Sequence, residues 1–120
     1  MAKKILIVDD SKTIRQQVSF TLAKGGYEVI EAEDGLDGIS KLEANHDIAM
    51  VISDVNMPNM DGLEMLETLR AKGSAVPIVM LTTEGAAELI QRAKNAGAKG
   101  WLVKPFQPEQ LVAAVAKIAG

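Results

Sequence analysis

The sequence predicts an α/β fold, a doubly wound parallel five-stranded sheet built as (βα)5 with helices on both faces. Three observations lead there. Five short apolar runs, most of them β-branched, recur along the chain; each is followed by a stretch with helical spacing; and the central runs are almost continuously apolar. Alternating apolar and polar residues mark a strand with one wet face, whereas a continuous run marks a strand buried on both, as crossover helices require.

Ile5 to Val8 reads as the first strand, and Ile14, Val18 and Leu22, four apart, line one face of the first helix. Gly25-Gly26 suits that helix's C-terminus. Val29-Ile30 marks the second strand, and Leu36, Ile39 and Leu42 mark the second helix. Met50 to Ile52 is the third strand. Asp61, with Glu64 three residues on, reads as a capping-box variant that opens a third helix carrying Leu63, Leu66 and Leu69. Ile78 to Leu81 forms the fourth strand, followed by a helix with Ala86, Leu89, Ile90 and Ala93 that ends at Gly97. Trp101 to Val103 is the fifth strand. Leu111, Val115 and Ile118 define the last helix, with Pro108 in its first turn, where a missing N–H leaves no bond unmade.

A chain of 120 residues, 48% apolar and 24% charged, can bury one core, so residues 1–120 are expected to form a single domain. No apolar run approaches the ~20 residues of a membrane span. Met1 to Lys4 leads straight into the first strand without a small-residue cleavage site, so no secretory signal is read and a cytoplasmic location is expected. The absence of cysteine excludes a disulfide framework, thiolate catalysis and cysteine-held metals. A net charge of −3, scattered cations and four aromatics, Phe20, Tyr27, Trp101 and Phe106, argue against direct nucleic-acid binding and for a protein partner.

In such sheets ligands collect outside the carboxyl ends of the strands. Asp9-Asp10 follow the first strand, Asp54 ends the third, Thr82-Thr83 follow the fourth and Lys104-Pro105 follow the fifth. Singly each has an ordinary reading: Asp10-Ser11 as a helix cap, Asp54 as a loop-initiating residue, Thr82-Thr83 as a loop, Lys104 as a strand-end lysine. Their joint placement is what argues for chemistry. Three carboxylates brought together repel unless a cation neutralises them, and an oxygen-only donor set selects a hard ion, best Mg2+. Asp54 could then act as a carboxylate nucleophile toward phosphorus, with Lys104 on the phosphoryl oxygens and Thr82 donating a hydroxyl hydrogen bond.

The Asp9-Asp10 pair, the run Asp54-Val55-Asn56-Met57-Pro58-Asn59-Met60-Asp61-Gly62, Thr82, Gly97-Ala98 and Lys104-Pro105-Phe106 together resemble the CheY-like response-regulator receiver family, across Ile5 to Ile118. The resemblance implies two-component signalling, nearest the single-domain chemotaxis type, and a strand order of 2-1-3-4-5. It implies Asp54 as phosphoacceptor for a sensor histidine kinase, with Mg2+ held by Asp9, Asp10, Asp54 and the Asn56 backbone carbonyl. Lys104 would contact the phosphoryl group, and Thr82 and Trp101 would act as the switch pair. The indole departs from the tyrosine commoner at that position. A cis Lys104-Pro105 bond is also implied, as is tuning of self-dephosphorylation by Asn56 and Glu84, hence a short-lived phosphorylated state. The implied output is a monomer whose fourth helix, fifth strand and fifth helix, with Ala86, Ala87, Val112, Ala113 and Ala116 beside Trp101, meet a downstream protein.

Five other readings compete. A phosphorelay shuttle to a histidine phosphotransfer protein and a receiver cut from a longer regulator, with Gly120 as the cut, share the same site. An aspartyl-phosphate phosphatase would want a second acid/base aspartate two residues after its nucleophile, where Asn56 stands. An EF-hand beginning at Asp54 fails at Pro58 and Asn59. No glycine-rich nucleotide fingerprint follows any strand. His46, the only histidine, reads as a solvated loop residue.

Overall fold

The computed structural model describes residues 2–83, 87–104 and 106–119. Strands β1 (Lys4–Val8), β2 (Glu28–Ala32), β3 (Ile48–Asp54), β4 (Ile78–Thr82) and β5 (Gly100–Val103) alternate with helices α1 (Lys12–Lys24), α2 (Gly35–Ala44), α3 (Gly62–Ala71), α4 (Ala87–Asn95) and α5 (Pro108–Ile118). The strands are all parallel, in the order β2-β1-β3-β4-β5. The chain therefore winds outward from β1 in both directions, and the reversal of direction opens a crevice above the ends of β1 and β3.

Alternation along each strand divides the core into two layers. Leu6, Val8, Val51, Ile78 and Met80 face α2, α3 and α4. Ile5, Ile7, Met50, Ile52, Val79 and Leu81 face α1 and α5, whose Val18, Leu22, Leu111 and Val115 close over them. Both layers are buried, which is why the central strands run apolar through consecutive residues, 5–8, 48–52 and 78–81, and not at every second one.

Helix α2 differs from the expectation at Leu36, which is 54% exposed. The face turned to the core is Gly35, Gly38, Ile39 and Leu42, the i, i+3, i+4, i+7 stripe. Gly38 lets the helix approach so closely that an added Cβ would lie 2.8 Å from the Met65 sulfur. The glycines, silent in a count of apolar residues, set the helix phase, and Leu36 falls outside it.

Helix ends follow the sequence. Ser11, Asp34 and Asp61 cap α1, α2 and α3 by accepting from Ile14, Asp37 and Glu64 N–H, at 3.3, 2.8 and 2.8 Å. At α5 the Gln107 N–H donates to Gln110 Oε1 at 2.9 Å, next to Pro108 at the first helical position. Gly26 and Gly97, with φ of +92° and +87°, follow α1 and α4 in the left-handed conformation that ends a helix at little cost to glycine. Ala86, Glu84, Pro105 and Gly120, and with them the Lys104-Pro105 bond, lie outside the described residues. Among the described residues no helix is long and apolar enough to cross a membrane.

Candidate functional site

The carboxyl edge of the sheet gathers Asp9, Asp10, Asp54 and Lys104 in one pocket. Asp9 is the first residue past β1 and extends its ladder, donating its N–H to Ala32 O at 3.1 Å. Its side chain is 1% exposed, with Oδ1 accepting the Ser11 N–H at 2.9 Å and Oδ2 accepting from Lys104 Nζ at 3.1 Å. A buried carboxylate needs such partners, because an unpaired charge in a low-dielectric site is costly. Asp10 is exposed at the rim.

Asp54 ends β3, half-buried, with Oδ1 accepting the Val55 N–H at 2.9 Å and Oδ2 3.5 Å from Lys104 Nζ. Burial, and then the neighbouring Asp9 charge, push its carboxyl above the ordinary value; Lys104 and the Val55 N–H pull it only partly back. Lys104 leaves β5 directly opposite. Its N–H donates to Thr82 O at 2.7 Å, which carries the β4–β5 ladder one step further and directs the side chain into the pocket.

One oxygen each from Asp9, Asp10 and Asp54 lies within 4.8 Å of the others. Three carboxylates against one ammonium leave excess negative charge, and the donors are all oxygen. This donor set fits a hard divalent cation and offers nothing to a soft one. Asn56 lies two residues past Asp54 in the exposed β3–α3 loop, beside the cluster along the chain.

Gly62 explains why an aspartate can end β3 here. A Cβ on Gly62 would stand 2.1 Å from the Asp54 backbone oxygen and 2.9 Å from Ser53 Oγ, so α3 can start this close to the strand only with glycine. The Gly62 N–H then donates to Val55 O at 2.9 Å, closing the loop behind the acidic pocket.

Of the two threonines after β4, Thr82 is fully buried and Thr83 exposed. The register pairs Met80 with Trp101 and Thr82 with Val103, so Thr82 and Trp101 share a sheet face as diagonal neighbours. Trp101 packs half-buried against the α2/α3/α4 layer, and its buried indole N–H has no hydrogen-bond partner among the described residues. Ala87, Ala113 and Ala116 are exposed and Val112 half-buried. Glu84 and Ala86 lie outside the described residues, and His46 is exposed in the α2–β3 loop.

Sequence reasoning passed over Arg15. Its Nη1 donates to the Asp9 backbone oxygen at 2.6 Å while Nε meets Glu31 Oε1 at 3.2 Å, so it fastens the β1–α1 turn to β2. The available signal was an arginine one turn into α1, where its side chain reaches back toward the residues before the helix. An apolar cleft of about 550 Å³ also opens beside Lys104, between α1 and the start of α5, with Ile14, Val18, Phe20, Phe106 and Leu111 in its walls. Phe20 is 67% exposed there.

Residues 5–116 match the response regulator receiver domain family. The chain is 44% identical over 111 residues to chemotaxis protein CheY1 of Helicobacter pylori, covering 90% of each chain. It is 42% identical over 111 residues to a chemotaxis protein CheY homolog of Campylobacter jejuni, covering 90% of this chain and 85% of that one. Among solved structures, chemotaxis protein CheY4 of Vibrio cholerae superposes with a TM-score of 0.92 at 45% identity, over 98% of this chain and 99% of that one. Fold, strand order and family agree, and the chain belongs to the response regulator receiver domains.

Proposed function

We propose that this receiver accepts a phosphoryl group on Asp54 from a sensor histidine kinase and signals through the surface of α4, β5 and α5. The observation that carries the reading is the Lys104 ammonium 3.5 Å from Asp54, with two further carboxylates around it. One Asp54 oxygen bonds to phosphorus as the phosphorus–nitrogen bond of a phosphohistidine breaks. The imidazole keeps the bonding pair and takes a proton from water. Lys104 would meet the phosphoryl oxygens, its charge countering what the transfer brings to a site that already holds Asp9.

Asp9, Asp10, Asp54 and the Asn56 carbonyl would hold Mg2+, which supplies charge neutralisation to the phosphoryl oxygens when bound. The chain acts here as a signalling protein in one domain and catalyses only its own phosphorylation and dephosphorylation, with Asn56 and Glu84 setting a short lifetime. The apolar cleft between α1 and α5 opens onto Lys104, so a phosphodonor protein seated there would bring its phosphoryl group to Asp54.

Thr82 and Trp101 form the proposed switch. Among the described residues the buried indole N–H has no partner, which costs ~1–3 kcal/mol, so a shift of Trp101 to a position where the N–H is paired would be favoured once Thr82 is drawn toward the phosphoryl group. The likeness to chemotaxis proteins favours a motility target over a phosphorelay, and the reading takes the protein as a cytoplasmic monomer.

Trp101, the sole indole, reports the test. Beryllofluoride or a small acyl phosphate with Mg2+ is expected to change its fluorescence in the wild type and not in Asp54→Asn. An equal change in both proteins would remove Asp54 as the acceptor.

A further inference from the structure

The β3–α3 loop is held from outside by α2. Asn59 Nδ2 donates to Asp34 Oδ2 at 2.7 Å, and the Gly35 N–H donates to Met60 O at 2.9 Å. The approach is close: a Cβ on Gly35 would lie 2.7 Å from the Met60 oxygen. Asp34 is 7% exposed, and its other oxygen caps α2 at the Asp37 N–H. Hydrogen bonds from the Asp37 N–H and then the Asn59 amide hold its carboxyl below the ordinary value, so it is charged and fully engaged.

Asn59 has a φ of +66°, and among the described residues no other non-glycine residue has a positive φ. That region is unfavourable for most L residues and open to asparagine among the few exceptions, so Asn59 can enter it and needs its surroundings only to be fixed there. Here the surroundings are Asp34. The bend reverses the chain between Pro58 and Met60, whose N–H donates back to Pro58 O at 2.7 Å. At the near end, the Val55 N–H is fastened to Leu81 O at 3.1 Å and to Asp54 Oδ1. Asn56 hangs between these two anchors with its side chain exposed, so the path of its backbone is set by the anchors and not by packing of its own.

We infer that Asp34 is a positioning residue for the acidic pocket: by holding Asn59 in its left-handed bend, it aims the Asn56 backbone carbonyl at the cluster of Asp9, Asp10 and Asp54. The inference rests on the proposed metal site. It gives Asp34, 20 residues before Asp54 in the chain, a role in metal affinity with no direct contact to the ion.

Two substitutions separate the tie from other effects. Asn59→Gly still permits the left-handed backbone but no longer fixes it, because the side-chain bond to Asp34 is gone. Asp34→Ser keeps an oxygen that can cap α2 and is too short to reach Asn59. Titration with Mg2+ alone by calorimetry is expected to show each variant binding ~10-fold more weakly than wild type, the size found when a metal ligand loses its outer support. The double variant is expected to bind no more weakly than either single one, because both remove the same bond. Thermal unfolding without metal runs beside it. A lowered Tm with Mg2+ affinity within about twofold of wild type in both singles would reduce the tie to a structural one and overturn the inference. Weakening in Asp34→Ser but not in Asn59→Gly would also overturn it, tracing the effect to α2. A wild type that binds no Mg2+ at all would sink the metal site itself, and the inference with it.

Discussion

The centre of the sheet and its β5 edge are built to opposite standards. All five residues of β4 are buried, and in β3 only Ala49 and Asp54 are partly open. In β5 none of the four residues is buried, and Val103 is 48% exposed. Helix α3 buries five residues against the centre, whereas Ala93 alone is buried in α4. Asp9, Asp54 and Lys104 are anchored to the dense region by backbone ladders, and Trp101 sits in the sparse one. Regions with few buried apolar contacts open at low free-energy cost. The carboxylates of Asp9 and Asp54 are thus tied to the densely packed centre, and Lys104 to β4 through Thr82 O, whereas the proposed output surface is sparsely packed and cheap to rearrange.

Core truncation breaks the comparison most sharply. Leu81→Ala, in the middle of the α1/α5 layer, is expected to lower unfolding free energy by ~3 kcal/mol, whereas Val103→Ala on the edge should cost below ~0.5 kcal/mol. Urea unfolding of both measures the difference, and equal costs would end the distinction.

Hydrogen exchange sharpens it without mutation. Amides of β1, β3 and β4 are expected to exchange only through global unfolding, and those of α4 and β5 through openings ~2 kcal/mol easier. Uniform protection across the sheet would contradict a loosely held edge.

A smaller effect than either of these contrasts lies in the acidic pocket. A carboxyl whose folded pKa is raised above 3.8 favours the protonated native state, so its ionisation weakens the fold as pH rises through the folded value. Asp54→Asn removes that penalty. Without metal it should stabilise the protein at pH 7 by ~1 kcal/mol at most, given the solvent at the pocket mouth, and the gain should vanish below about pH 3.8. Thermal melts across pH would show it; a destabilised Asp54→Asn at neutral pH would mean that Lys104 outweighs burial and Asp9.

Much of this was legible in the chain. Five apolar runs with helical spacing between them identified every strand and helix among the described residues, because a two-sided parallel sheet writes its burial into consecutive residues. Asp9, Asp54, Thr82 and Lys104 stood out because each directly follows or ends a strand, and parallel strands bring those positions to one edge. The strand order came through the family resemblance. Periodicity alone does not state which strands are neighbours.

Other features answer to three dimensions alone. Leu36 turns outward because Gly35 and Gly38 set the phase of α2 against Met60 and Met65. Thr82 is buried and Thr83 exposed because β4, covered on both faces, runs one residue past its last apolar position and ends there. Asp34 and Asn59, 25 residues apart, meet only once α2 has packed beside α3. Local sequence determined the elements and the chemistry at their ends, since helical and strand periods act over a few residues. The long-range ties, Lys104 across to Asp9 and Asp54 and Asp34 across to Asn59, were decided by packing, which alone brings distant residues within hydrogen-bonding distance.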